Sequence, residues 1–170
     1  HGGLYVPVDK RTPPNPYLNH IPERDIISND GKNYTLMNPA YMMRQVMEDY
    51  EKSSGIKTKL TSLKLLNPIN EPNVWEKKVL KSFKTESKAV TDVVNLDGKQ
   101  YLSHMRPMKM RKECLKCHAH QGYKEGDIRG GLSVSIPMSP YLTRLNTELG
   151  RDLKIYGLIL LLGLYGIYFI

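Results

Sequence analysis

Alternating apolar and polar positions predict four strands in the chain. The stretch KTKLTSLKLL at 57–66 predicts the first of them, and three later ranges alternate in the same way: 88–96, 99–110 and 128–137. Asp97 and Gly98 separate two of these ranges, and this dipeptide is typical of a tight hairpin turn. We therefore expect an antiparallel sheet of about four strands.

Apolar residues at helical spacing predict two helices, one before the first of these strands and one between the first strand and the second. The first is bounded by Asn38 as N-cap, Pro39 at the first helical position and Gly55 after its end. The second begins at Asn73, which with Glu76 has the form of a capping box. Their apolar faces are Ala40, Met43, Val46, Met47 and Tyr50 in the first helix, and Trp75, Val79 and Phe83 in the second.

The two ends of the chain differ from its middle. Residues 1–37 are rich in Pro, Asn and Gly and predict an extended arm with a short strand at Leu4–Val8. Ser139 and Pro140 begin a last helix, and residues 155–170 contain no charged residue. We read this uncharged run as the start of a truncated transmembrane helix, although it falls short of the roughly 20 residues a spanning helix needs. A buried core helix is the alternative.

Together these elements predict an α+β fold in which helices flank an antiparallel sheet. Their order resembles that of a PAS-like domain. We expect three parts: an extracytoplasmic domain at 1–138, an exit helix at 139–154, and the transmembrane start at 155–170. The first residue is His1 rather than methionine, so we expect a missing upstream segment.

The chain carries a net charge of +8, with an isoelectric point near 9.4. Its cations are scattered, and no recognition-helix, zinc-finger or RNA-binding aromatic pattern is present, so we expect no nucleic-acid partner. A basic surface suits anionic lipid or an acidic protein partner. We also find no carboxylate pair, nucleophile motif or second metal site, and therefore do not expect an enzyme.

Both cysteines of the chain lie in one motif, Cys114-x-x-Cys117-His118. This spacing is that of c-type haem attachment, in which the two thiols form thioethers with the haem vinyl groups and the histidine binds the iron. Three alternatives stay open: a thioredoxin-type pair, a zinc site and a strained disulfide. Because haem is attached in this way outside the bacterial cytoplasm, we expect a membrane-anchored domain facing the periplasm.

Four stretches carry a family resemblance: CLKCHAHQGYKEGDIRGGLSVSIPM, HGGLYVP, TPPNPYL followed by MNPAYMMRQV, and LKLLNPINEPNVWEKKVL. They resemble the c-type-haem, PAS-like sensor domains of bacterial histidine kinases and chemoreceptors, a family long described as a domain of unknown function. The resemblance covers residues 1 to about 140. It implies one covalent haem c held by Cys114 and Cys117, with His118 as proximal ligand. It also implies that the N-terminal segment, through His1, supplies the distal ligand.

Other residues compete for contacts with the cofactor. His120 follows the proximal ligand too closely to reach the opposite face, His104 lies in a strand, and His20 lies in the arm. Guanidinium groups bind carboxylates in a fork, so Arg106, Arg111 and Arg129 are candidates for the haem propionates. Arg129 is the best placed, because it directly follows the glycine-containing haem loop.

Two functions follow from this reading. The first is a haem-based redox or gas sensor that signals through its C-terminal helix to a module in the same chain. The second is a membrane-anchored monohaem cytochrome that transfers electrons to an acidic partner in a respiratory or photosynthetic complex. Either function is compatible with a homodimer.

Overall fold

A computed structural model describes residues 2–83 and 87–168 of the chain. Its N-terminal part forms a small antiparallel sheet of three strands, β1 (Leu4–Pro7), β2 (Asp25–Ile27) and β3 (Asn33–Met37). The strand order is β1-β3-β2. The predicted strand at the start of the chain is therefore confirmed, but the rest of the expected arm contributes two further strands.

Helix α1 (Pro39–Ser54) follows the small sheet directly. The side chain of Asn38 accepts a hydrogen bond from the backbone N–H of Tyr41, and Gly55 ends the helix with φ of 71°. Both predicted boundaries are confirmed. The predicted apolar stripe is only partly buried, because Val46 and Tyr50 are exposed while the remaining members are half-buried.

The main sheet contains the four strands β4 (Lys57–Thr61), β5 (Val90–Leu96), β6 (Lys99–Lys109) and β7 (Ile128–Pro137). They are antiparallel in the order β4-β7-β6-β5, so β7 pairs with a strand on each side. Asp97 and Gly98 join β5 to β6 with positive φ angles of 53° and 78°. Positive φ at both central positions is the geometry of the type I′ turn that the sequence predicts.

Helix α2 (Val74–Ser82) covers one face of this sheet. Val79, Leu80 and Phe83 pack with Met105 of β6, and all four side chains are buried. The predicted capping box is confirmed, and its Glu76 is itself buried. The Glu76 carboxylate pairs with Lys59 Nζ at 2.6 Å and accepts a hydrogen bond from the Ser133 hydroxyl, which ties α2 to β4 and β7. These contacts fix α2 against the main sheet, from whose strand ends the connecting loops extend.

Helix α4 (Ser139–Tyr168) begins where predicted and continues through Gly150. Among the described residues, no helix combines the length and the apolar character needed to cross a membrane. Arg151, Asp152 and Lys154 directly precede the uncharged part of α4, so a stretch of membrane-spanning length within the described helix includes these charges. The fold is α+β with two antiparallel sheets. For the residues that the structure describes, the expected transmembrane segment at 155–170 is therefore wrong, and the expected membrane-anchored, periplasm-facing location loses its membrane anchor.

Candidate cofactor site

The cysteine motif lies in the connection between β6 and β7. The connection contains three consecutive helical pieces: a 3-10 turn at Lys112–Cys114, the short helix α3 (Leu115–His118) and a second 3-10 turn at Ala119–Gln121. Backbone hydrogen bonds close its base, because Met110 N–H donates to Asp127 O at 2.8 Å and Gly126 N–H donates to Met110 O at 2.9 Å. The motif therefore lies on a short helical segment that connects the two central strands of the main sheet.

Both thiols of the motif are half-buried, and no disulfide joins them. Cys117 packs against a core cluster formed by Leu18, Ile21 and Leu36, which belong to the N-terminal arm and β3. Burial raises the pKa of the Cys117 thiol, and the positive charge of Lys116 opposes this effect only in part. Cys117 therefore favours the protonated, unreactive form of a thiol.

Two of the alternative interpretations of the motif lack support in this arrangement. A thioredoxin-type pair needs a βαβ unit and a lowered thiol pKa. Here the motif joins two adjacent antiparallel strands, and the pKa of Cys117 is raised. A zinc site needs four ligands, yet within residues 2–83 and 87–168 no three His, Cys, Asp or Glu side chains gather to hold a metal ion.

His118 ends α3 and is half-buried. Its Nδ1 lies 2.9 Å from Oε1 of Gln121. Burial lowers the pKa of His118, and the positive charge of Arg129 lowers it further. The imidazole is therefore held in its neutral form near pH 7, which is the form that binds a metal.

A pocket of about 560 Å³, counting its solvent-open space, lies beside His118. Four separate parts of the chain line the pocket besides His118: the N-terminal arm, α1, β4 and the loop that follows β4, and the start of β7. Leucines and asparagines supply much of its wall: Leu18, Leu60, Leu65, Leu66, Asn15 and Asn38.

Arg129, near the start of β7, lines the same pocket as His118. Its backbone carbonyl accepts a hydrogen bond from Ser62 Oγ at 2.6 Å. Its side-chain Nε is buried, yet it has no hydrogen-bond partner in the part of the chain that the structure describes. Burial also lowers the pKa of this guanidinium. Since buried donors are nearly always paired, this nitrogen marks a position where an acceptor from a bound molecule fits.

Two further cations line the pocket that sequence reasoning missed, namely Arg44 of α1 and Lys64 of the loop after β4. Among the described residues the lining contains no Asp or Glu, so the pocket is positively charged. One feature of the sequence pointed to Arg44: it follows Ala40 by four residues, about one helical turn, and so lies on the same face of α1. Arg106 and Arg111, the other predicted propionate contacts, are exposed and do not line this pocket.

Among the described residues, no histidine other than His118 lines the pocket. His104 is exposed on β6, and its Nδ1 lies 2.7 Å from Thr91 Oγ1. His20 and His120 are both exposed, with ring centroids 4.2 Å apart. His1, the predicted distal ligand, lies outside the described residues and stays a prediction.

The N-terminal segment runs close to the cysteine motif. A Cβ at Gly2 would lie 3.4 Å from the side chain of Lys116, one of the two residues between the cysteines. Gly3 has a φ of 145°, and a Cβ there would lie 2.6 Å from the carbonyl oxygen of Met37. The glycines therefore allow the N-terminal segment to approach protein backbone and the motif closely.

Comparison with known proteins gives two matches. The chain is similar to a solved structure described as the cyanobacterial heme-protein Tll0287, with 18% sequence identity, a TM-score of 0.46, and coverage of 55% of this chain and 68% of that one. No curated protein matches the chain. The sequence profile of the Tll0287-like family matches residues 8–137, which is most of the chain. The chain therefore belongs to the Tll0287-like family.

Proposed function

We propose that this chain binds one haem covalently through Cys114 and Cys117, with His118 as an axial ligand of the iron. One observation carries the proposal: the motif has the spacing of haem c attachment, and its His118 lines a pocket together with Arg129, whose buried Nε has no partner among the described residues. Neither residue type is unusual alone, but their combination matches a flat cofactor that carries both a metal and carboxylates.

The residues present fit such a group. The neutral imidazole of His118 offers a nitrogen lone pair, and the two thiols are within one helical segment. Arg129 Nε offers a buried donor for a propionate, and Arg44 and Lys64 add positive charge to the same pocket. When bound, the haem supplies an iron that changes charge by one electron or takes a small gas. The chain's part is to hold the group, orient it and offset its negative charges.

Covalent attachment is tested on the full chain produced in a host that carries the machinery for haem c attachment. We expect the pigment to stay with the protein in acidic acetone and to give a haem c spectrum in alkaline pyridine. Changing either Cys114 or Cys117 to alanine should leave at most one thioether, and changing both should leave none, as measured by intact mass. His104→Ala is the matched control, because this histidine is exposed and outside the pocket. Pigment that washes out of the unmodified chain contradicts the proposal.

We further propose that the domain is a sensor of redox state or of a small gas, with α4 as its output. The connectivity supports this proposal. Strand β7 carries Arg129 near its start, passes through the middle of the main sheet and ends two residues before α4 begins. A change of charge in the pocket would act on Arg129 and so on the strand that leads to the helix. For signalling, α4 must have two states that the haem state biases.

The sensor proposal predicts that α4 responds to the state of the iron. Hydrogen exchange of the oxidised, the reduced and the carbon-monoxide-treated protein should differ along residues 139–150. The same comparison with Arg129→Met should show a smaller difference. Exchange rates that are identical in all three states would contradict a sensor that uses α4.

Electron transfer is the second candidate, and the net charge of +8 favours it. A basic surface accelerates association with an acidic redox partner, and salt screens this effect. Electron transfer to an acidic cytochrome-type partner should therefore slow steeply as ionic strength rises. A rate that does not depend on salt, together with gas binding to the reduced iron, would leave the sensor as the better candidate.

A further inference from the structure

The contact between His118 and Gln121 goes beyond a general haem-binding motif. Oε1 of Gln121 lies 2.9 Å from Nδ1 of His118, three residues away on the same helical segment. An amide oxygen only accepts hydrogen bonds. With the amide oxygen in this position, Nδ1 of the neutral imidazole carries the proton, which leaves the lone pair on Nε2.

This placement of the proton is not what a free imidazole prefers, since neutral histidine in water favours the proton on Nε2. A specific acceptor is therefore needed to reverse the preference. The opposite orientation of the Gln121 amide would donate to Nδ1 and put the proton on Nε2, where it would block the metal. Only one of the two orientations is thus compatible with iron binding through Nε2.

The backbone around Gln121 holds its side chain in reach. Gln121 ends the 3-10 turn Ala119–Gln121, and Gly122 follows with a φ of 81°. The N–H of Gly122 donates to Ala119 O at 2.9 Å, which fixes the chain direction directly after Gln121. Both partners of the contact are half-buried, so water competes only weakly for it.

We propose that Gln121 is a positioning residue that holds His118 in the Nδ1–H tautomer and thereby sets how strongly Nε2 donates to the iron. This inference rests on the proposed haem-binding function. A neutral amide withdraws the Nδ1 proton less than a carboxylate would, so it keeps the imidazole a moderate donor. Such hydrogen bonds to a ligating histidine fix its orientation and its basicity.

The first test uses the haem-loaded full chain and its midpoint potential. Gln121→Glu should lower the potential, because a carboxylate makes the imidazole a stronger donor and favours the oxidised iron. Gln121→Leu should raise it, and added imidazole should displace His118 at roughly tenfold lower concentration, in line with the usual effect of losing such a partner. Gln100→Glu and Gln100→Leu are matched controls, since Gln100 is exposed on β6, and should change neither quantity.

The second test reads the tautomer without haem, in the full chain with Cys114→Ser and Cys117→Ser. Nitrogen-15 chemical shifts of His118 should show the Nδ1–H tautomer, and Gln121→Leu should convert it to the Nε2–H tautomer. Potentials that move equally in the Gln100 and Gln121 variants, or an Nε2–H tautomer before substitution, would overturn the inference. If instead the proposed haem-binding function is wrong, the unmodified chain carries no covalent pigment, and that result does not depend on the tautomer of His118.

Discussion

Replacing Arg129 by methionine tests two effects of this residue separately: its effect on the stability of the haem-free chain and its effect on the stability of the chain with haem attached. Methionine keeps an unbranched, apolar side chain of similar length but removes the guanidinium. In the haem-free chain Nε has no partner, so the folded state bears the cost of an unsatisfied buried donor. Removing such a donor relieves about 1–3 kcal/mol. Arg129→Met should therefore leave the free energy of unfolding of the haem-free chain unchanged or raise it.

With haem attached, the same substitution should act in the opposite direction. The donor would then face a propionate, and a hydrogen bond to a charged group contributes about 1.5–3 kcal/mol. Losing it should lower the free energy of unfolding by that amount, which is about tenfold or more in the unfolding equilibrium constant. The sign of the effect therefore depends on the cofactor.

Urea denaturation followed by circular dichroism measures both cases. The haem-free form is the chain with Cys114→Ser and Cys117→Ser, and Arg106→Met is the matched control because Arg106 is exposed on β6. The control should stay within about 0.5 kcal/mol of its parent in both forms. Equal losses for Arg129→Met with and without haem would refute the reasoning, since they would mean that Arg129 acts only through contacts within the protein.

Three further predictions concern the scaffold. Gly130→Ala should lower the free energy of unfolding by about 1–3 kcal/mol, because its Cβ would lie 2.2 Å from Thr61 O; Gly150→Ala has open space and should cause no loss. Lys59→Met should cost about 3 kcal/mol by urea denaturation, because it leaves the buried Glu76 carboxylate without its ion-pair partner; a neutral result would mean that solvent reaches this carboxylate. Hydrogen bonds from Arg24 and Thr35 lower the pKa of Asp25, so its unfolded form binds more protons between the two pKa values. Asp25→Asn should therefore reduce the melting temperature at pH 7, and the gap should begin to close as pH falls below about 3.8; a gap that does not narrow at all below that pH would contradict this.

Signals that act over a few residues were sufficient to predict several elements. The caps of α1 at Asn38 and Gly55, the capping box at Asn73 and the turn at Asp97 all appear where the sequence indicates. Each depends on a side chain or a backbone angle that satisfies groups two to four residues away. The attachment motif is local in the same sense, because its spacing alone indicates its chemistry.

The N-terminal sheet shows what such signals miss. Strand β2 is three residues long and exposed, and although its two isoleucines suit a strand, it is too short for a pattern of alternation to mark it. It exists because β3 offers it a partner, with Ile26 opposite Tyr34, while β1 pairs on the other side. Pairing between distant segments is a tertiary property, so the sequence predicted only an extended arm.

The same distinction between local signals and tertiary structure applies to the candidate site. The sequence by itself predicted that Cys114, Cys117 and His118 act together and that Arg129 lies near them. Only the tertiary structure decided that Arg129 Nε is buried without a partner, and that Arg44 and Lys64 face the same pocket. The physical reason is that several segments far apart in the chain form this pocket, and its charge and its solvent exclusion arise only when they pack together.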